Sequence, residues 1–169
     1  LNQFLINLAE CTKLGGYFIG TSYDGAKVFN LLKNKKQNES LILKDDKNEE
    51  TLLEITKLYD SKEFENNITS LGYGINVYQQ SINKTFKEYL VNYNYLTKIL
   101  ENFGFIPLTY DELKEINLTN SIGDFSDLYE IMNKEIKKDK KKENDYGSAN
   151  NMSEELKRIS FLNKYFIYK

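Results

Sequence analysis

The chain has 169 residues, the length of one average domain, and its formal net charge is −2. Such a small charge excludes a protein that grips long nucleic acid through many phosphates, so any RNA contact should be local. The absence of histidine excludes His-dependent catalytic triads and His metal sites within these residues. No apolar stretch approaches the roughly 18 residues of a membrane span, and the N-terminus has no signal layout. The single cysteine, Cys11, cannot form an internal disulfide, which indicates an intracellular protein.

The chain opens within a predicted amphipathic helix. Apolar residues fall on one face of it at helical spacing: Leu1, Phe4, Leu5, Leu8 and Ala9. Gly15 and Gly16 follow where a left-handed C-terminal cap is expected. Because the first residue lies inside a helix and is not Met, we expect a part of a longer polypeptide.

A strand, a turn and a second helix come next. Tyr17 to Gly20 is a short aromatic run that predicts a buried strand, and residues 21–25 predict a turn. Asp24 can cap the N-terminus of a helix with three inward-facing residues, Val28, Leu31 and Leu32. This order of elements is typical of an open α/β sheet, whose ligands lie at the carboxyl ends of the strands.

The middle of the chain predicts an antiparallel insertion. Leu41 to Lys44 and Leu52 to Leu58 are strand-like runs joined by a charged connection, and Gly74 to Gln80 is a third strand. The connection contains four carboxylates, Asp45, Asp46, Glu49 and Glu50. They lack the spacing of a calcium loop, so a polar hairpin tip is a better interpretation than a metal site.

A long helix is predicted from Thr85 onward. Apolar and aromatic residues recur at spacings of four and three: Tyr89, Tyr93, Leu96, Leu100 and Phe103. Gly104 ends this helix, and Phe105 to Leu108 resumes as a strand. Pro107 places that strand at an edge or an end of a sheet.

The last third predicts two short helices over 111–116 and 124–136, a third over Met152 to Ile159 capped by Ser153, and a closing strand over 161–168. Lys134 to Asp145 is dominated by charged residues, which predicts a solvated or disordered connection. Its lysines could meet RNA phosphates. The interspersed acidic residues favour a solvated loop instead.

Three stretches of the chain together resemble the guanine-N7 mRNA cap methyltransferases, particularly those of large DNA viruses. Leu14 to Thr21 is similar to the family's "PGGYFIGTT" strand. Tyr73 to Tyr78, followed by Lys87-Glu88-Tyr89-Leu90-Val91, is similar to the strand and "PEYLV" motif, which is the more specific signal. Ser153 to Phe166 is similar to the last helix and strand.

The resemblance implies an α/β fold: the second half of a class I, Rossmann-like methyltransferase domain with an antiparallel β insertion, spanning residues 1–169. It implies S-adenosylmethionine as the methyl donor, bound mainly by a half that precedes Leu1 in the family. The implied partner is the capped 5′ end of mRNA, with triphosphatase or guanylyltransferase domains as possible fused or associated neighbours. No metal and no membrane partner are implied.

Methyl transfer to guanine N7 needs no base, because N7 carries a free lone pair at neutral pH. Positioning should therefore supply most of the rate, on the order of 7 to 11 kcal/mol, and no residue of this chain is expected to be catalytic. A carboxylate could accept from the N1–H and exocyclic amine of the guanine. Glu88 aligns with the family's guanine-binding glutamate. The alternative is that Glu88 only complements the positive end of the predicted helix.

Two aromatic residues are further candidates for cap contacts. Tyr23 stands where the family usually has a proline that packs on the cap, and it could stack on the purine or be an ordinary exposed turn residue. Phe161 stands where the family has a cap-contacting tyrosine, with a core aromatic as the alternative. Ile75 replaces another family tyrosine, which Tyr73 or Tyr78 could substitute for only from neighbouring positions.

Two other functions fit the sequence. The chain could belong to a non-catalytic, methyltransferase-like subunit that stimulates a catalytic partner, or to a class I methyltransferase that acts on a small molecule. A glycine-rich loop followed by an acidic residue, in the sequence preceding Leu1, would favour catalysis.

Overall fold

The computed structural model describes all 169 residues and shows two antiparallel sheets flanked by helices. The α-helices are α1 Asn2–Cys11, α2 Gly25–Leu31, α3 Tyr93–Glu101, α4 Tyr110–Glu115, α5 Phe125–Lys138, α6 Glu143–Tyr146 and α7 Glu154–Ser160. The strands are β1 Phe18–Tyr23, β2 Ser40–Lys44, β3 Thr51–Lys57, β4 Gly74–Gln79, β5 Lys84–Tyr89, β6 Ile122–Asp124 and β7 Asn163–Tyr168. None of the helices has the length and apolar character needed to cross a bilayer.

The first sheet has the order β1-β7-β6, with β7 antiparallel to both neighbours. The two outer strands therefore run parallel to each other. On one face, α1 and α3 bury a cluster made of Leu5, Tyr93, Leu100, Phe105, Phe166 and Tyr168. On β1, Ile19 is 65% exposed.

The second sheet is a meander with the order β2-β3-β4-β5. Its inner face packs on α2, where Val28 and Leu32 are fully buried. The buried Lys57 of β3 donates to the Leu32 and Lys35 carbonyl oxygens at 3.4 and 3.0 Å, which fixes the end of α2 on the sheet. The insertion predicted from the sequence is confirmed as an antiparallel unit.

The two sheets meet at the end of β1. Asp24 and Val91 form a parallel bridge, and the Gly25 N–H donates to the Val91 carbonyl at 3.1 Å. On the other side of this segment, the Asp24 N–H donates to the Leu162 carbonyl at 2.8 Å. The carboxyl end of β1 is therefore tied to the segment that follows β5 and to the residue that precedes β7.

Several predicted elements near the N-terminus need correction. Residues 21–23 extend β1 rather than forming a turn, and Leu31 is 45% exposed while Phe29 is buried in its place. The first helix ends at Cys11, where the Thr12 N–H donates to the Leu8 carbonyl, and Gly15 adopts its positive φ of 74° four residues after Cys11. The cap by Asp24 is confirmed, since its carboxylate accepts from the Ala26 and Lys27 N–H groups.

Three further corrections concern the middle and the end of the chain. The helix predicted from Thr85 begins only at Tyr93, and residues 84–89 form β5 instead. The segment predicted to be a solvated connection is helical through most of its length, because Glu135 accepts from both Lys142 (2.7 Å) and the Tyr146 hydroxyl (2.8 Å). Phe105 to Leu108 contributes only a single bridge, between Pro107 and Tyr168. The predicted helices near 111–116, 124–136 and 152–159, and the closing strand, are confirmed.

Candidate functional site

Glu88 lies on β5, the edge strand of the four-stranded sheet, rather than at the start of a helix. Asn92 caps α3 four residues later and accepts from the Tyr95 N–H at 3.1 Å. The interpretation of Glu88 as a partner of a helix N-terminus is therefore wrong. In the β4–β5 register Glu88 stands opposite Ile75, so its side chain projects from the inner face of the sheet.

The Glu88 carboxylate has no hydrogen-bond or ion-pair partner in the structure. The side chain is partly buried, and burial is the cause that raises the pKa of its carboxyl group. Ionised groups that lose water usually gain a compensating partner, because desolvation of a charge is costly. Glu88 is therefore an unpaired acceptor held on the inner face of the sheet.

Tyr23, the last residue of β1, is buried rather than exposed in a turn, with 8% of its surface accessible. Its hydroxyl accepts a hydrogen bond from the Gln79 side-chain amide. Burial raises the pKa of the Tyr23 phenol, the bond from Gln79 opposes this rise, and the charge of Glu88 adds to it. The charge of Glu88 thus acts on the Tyr23 phenol, although little of the tyrosine ring remains open to a ligand.

Phe161 is held in a different environment. It directly follows α7, and its ring meets Tyr129 of α5 edge-on, with 5.7 Å between the ring centroids. Its carbonyl accepts from the Lys27 ammonium at 3.1 Å. These contacts place the ring against α5, and its assignment to cap binding stays a prediction.

The two tyrosines that flank Ile75 are engaged elsewhere. Tyr73 stacks on Tyr59 with 4.8 Å between centroids, and its hydroxyl donates to the Glu63 carbonyl. Tyr78 pairs with Thr85 and donates to Asn83, on the face of the sheet opposite Glu88. Neither residue reaches the position that Ile75 occupies.

A network of four charges lies at the carboxyl ends of β1 and β6. Asp124 accepts from Lys27 at 2.9 Å and from Lys164 at 2.8 Å, and Lys164 is also 3.5 Å from Asp24. Burial opposes ionisation of Asp124, but the two lysine bonds outweigh it and lower the pKa of its carboxyl group. Sequence reasoning identified Asp24 and Asp124 only as helix starts. Their lysine partners are distant in sequence, so no local pattern signals the network.

This network bears on where a methyl donor could bind. The ribose hydroxyls of such a donor require a carboxylate that is free to accept hydrogen bonds. At this end of the first sheet, Asp24 is occupied by its cap and by Lys164, and Asp124 by two lysines. These residues therefore do not fit a donor site.

An apolar cavity of about 570 Å³ is lined by residues of α1, of α3 and of the end of β5. Nine of its eleven lining residues are hydrophobic, among them Leu1, Phe4, Tyr89, Leu96 and Ile99. Glu88 is not among the residues that line it. No group of three or more acidic or cysteine side chains is placed to hold a metal ion.

The chain is similar to a curated viral protein. A probable mRNA-capping enzyme of Acanthamoeba polyphaga mimivirus is 28% identical to this chain over 184 aligned positions, which cover 99% of the chain. The chain is related to an mRNA-capping enzyme. It spans only 15% of the length of that relative. No protein-family model matches the chain.

Proposed function

We propose that this chain is the guanine-recognising part of an mRNA cap guanine-N7 methyltransferase. The observation that carries the proposal is the unpaired Glu88 carboxylate on the inner face of β5, opposite the buried Ile75. The relation to a viral mRNA-capping enzyme over nearly the whole chain supports the same function.

Guanine presents two adjacent donors, N1–H and the exocyclic amine, and a carboxylate can accept from both at once. Hydrogen bonds to a charged acceptor are about twice as strong as neutral ones. A negative charge near the base also favours the positive charge that develops when N7 is methylated. Adenine lacks this pair of donors, so the Glu88 carboxylate would stay without hydrogen bonds when adenine is bound. That loss makes adenine binding weaker than guanine binding.

The methyl donor in this proposal is S-adenosylmethionine, whose sulfonium supplies the methyl group. The acidic residues at the carboxyl ends of β1 and β6 are already paired, so we assign the donor to other parts of the polypeptide. β1 pairs with β7 on one side only, and Ile19 is 65% exposed. This unpaired edge is suited to a further strand of the polypeptide. In this arrangement β1, β7 and β6 form the end of a larger sheet of the class I type.

Nucleotide titration tests the recognition step. We expect the chain to bind the cap dinucleotide GpppA more tightly than ApppA by calorimetry or by NMR shifts. Glu88→Gln should remove roughly 10- to 150-fold of the GpppA affinity, since it replaces a charged acceptor by a neutral amide. Glu54→Gln, on the outer face of β3, is the matched control. Equal binding of GpppA and ApppA by the unmodified chain would contradict the proposal.

A second titration addresses the donor. We expect no appreciable binding of S-adenosylmethionine to these 169 residues, and micromolar affinity in calorimetry would overturn the assignment of the donor to other parts of the polypeptide. The occupied carboxylates also agree with a non-catalytic, methyltransferase-like subunit of a capping complex. Measurement of donor binding by the longer polypeptide separates the two functions, because only a catalytic protein needs it.

A further inference from the structure

The inner face of β5 carries a second residue suited to a nucleotide. Side chains alternate between the two faces of a strand, so Phe86 projects on the same side as Glu88. In the β4–β5 register Phe86 stands opposite Val77, which is 2% exposed, yet Phe86 itself is 47% exposed. The Phe86 side chain therefore lies on the inner face of the sheet with a large part of its surface accessible.

No other aromatic ring of the chain packs against Phe86, whereas the neighbouring rings are already in use. The Tyr23 ring is buried and its hydroxyl is bound to Gln79. Tyr73 stacks on Phe29 and Tyr59 and meets Phe64 at a tilt. Phe86 is thus the aromatic surface beside Glu88 that a ligand can reach.

We propose that Phe86 stacks on the face of the guanine base whose edge is bound by Glu88. This inference rests on the proposed function and names a further specificity-determining contact for it. Residues two apart in a strand are separated by about 7 Å, so a base held edge-on by Glu88 and lying along β5 covers the Phe86 ring. The two contacts fix different parts of the base: the carboxylate fixes its edge and the ring fixes its plane.

The test compares two aromatic residues on opposite faces of the same strand. Phe86→Ala removes the inner ring, and Tyr89→Ala removes a ring on the outer face that is 56% exposed. Phe86→Tyr keeps the ring. Each variant is titrated with GpppA, and thermal unfolding is followed to show that the variant is folded.

Stacking on an aromatic side chain contributes enough that its loss should weaken GpppA binding roughly 5- to 150-fold in Phe86→Ala. Phe86→Tyr should bind as the unmodified chain does, and Tyr89→Ala should leave the affinity unchanged. Unchanged binding in Phe86→Ala, together with weaker binding in Glu88→Gln, would overturn the stacking contact and leave the proposed function intact. Equal losses in Phe86→Ala and Tyr89→Ala would also overturn it. Failure of the unmodified chain to prefer GpppA over ApppA would instead reject the proposed function.

Discussion

Glu88 and Ile75 stand directly opposite each other on antiparallel strands. The carboxylate therefore lies beside an isoleucine side chain that is 1% exposed. Directly paired residues of a sheet have β-carbons about 5 Å apart. The isoleucine removes water from one side of the carboxylate and offers it no hydrogen bond. This pairing explains why burial raises the pKa of Glu88.

The first prediction is that Glu88→Gln stabilises the unliganded protein at neutral pH. The raised pKa means that the ionised carboxylate is less favourable in the folded state than in the unfolded state. This penalty is complete above the folded pKa, decreases as the pH falls through it, and is absent below the pKa of the unfolded state. The free energy of unfolding of Glu88→Gln should therefore exceed that of the unmodified chain at pH 7, by less than about 1 kcal/mol because water screens the site.

Urea unfolding at a series of pH values measures the difference. The two proteins should converge at acid pH, where Glu88 is protonated. Glu54→Gln, on the outer face of β3, should show no such gain. A loss of stability in Glu88→Gln at neutral pH would show that the carboxylate has a stabilising partner.

The second prediction concerns Gly25, where the two sheets meet. A β-carbon at this position would lie 2.8 Å from the Val91 carbonyl carbon and 2.8 Å from its nitrogen, and both atoms belong to the backbone. The bond from the Gly25 N–H to the Val91 carbonyl could not survive such a clash. Gly25→Ala should lower the free energy of unfolding by about 2 to 4 kcal/mol, as overpacked or strained sites do.

Gly74→Ala is the matched control for Gly25→Ala. A β-carbon at Gly74 would lie 3.4 Å from the Lys87 side chain and farther from Leu58, which are ordinary contacts. Gly74→Ala should change stability by no more than about 0.5 kcal/mol. Chemical unfolding of both variants decides the matter, and equal stability of the two would show that β1 and Val91 are not held together as described.

The sequence predicts the fold best where local signals agree. Asp24 and Ser153 both cap helices as predicted, because a cap needs only a side chain and backbone two or three residues away. The helix was predicted to start too early because Tyr89 shares helical spacing with Tyr93 and Leu96. Spacing alone does not show that Tyr89 belongs to a strand that ends shortly before the helix begins. Asn92 was the missed signal, since it caps the true helix.

In the candidate site too, the sequence predicts what depends on local residues and misses what depends on contacts between distant ones. Glu88 was found through its motif, but its surroundings depend on the pairing of β4 with β5, which no local pattern specifies. The hydrogen bond to the Tyr23 hydroxyl comes from Gln79 of a different sheet. The predicted helix gave no reason to place Phe86 on the same face as Glu88, a relation that only the strand β5 creates.

The third prediction addresses the cap of α2. Asp24 is 6% exposed and accepts from the Ala26 N–H at 3.0 Å and the Lys27 N–H at 3.3 Å. Asp24→Ala should lower the free energy of unfolding by roughly 1 to 2 kcal/mol, because these donors lose their acceptor. Asp24→Asn keeps an acceptor oxygen and should lose less, since only the contact with Lys164 is weakened. Thermal or chemical unfolding gives both values, and equal losses would show that the charge matters rather than the cap.

The fourth prediction is a pH dependence that originates at Asp124. Two lysine bonds lower the pKa of this carboxyl group against the opposing effect of burial, so its ionised form stabilises the fold. This contribution is complete above the ordinary pKa of an aspartate and is lost as the pH falls through the lower, folded value. Asp124→Asn should be less stable than the unmodified chain at pH 7 by roughly 1 to 2 kcal/mol, since the side chain is only partly exposed.

The two proteins should approach equal stability in strong acid, where Asp124 is protonated and resembles asparagine. Glu130→Gln tests an acid–lysine pair that is 3.9 Å long and 72% exposed on both sides, and it should change little at any pH. Unfolding by urea between pH 2 and pH 7 follows all three proteins. If the charge of Asp124 is responsible, the difference in the free energy of unfolding vanishes when Asp124 is protonated. A difference between Asp124→Asn and the unmodified chain that stays the same at pH 2 would instead originate in packing.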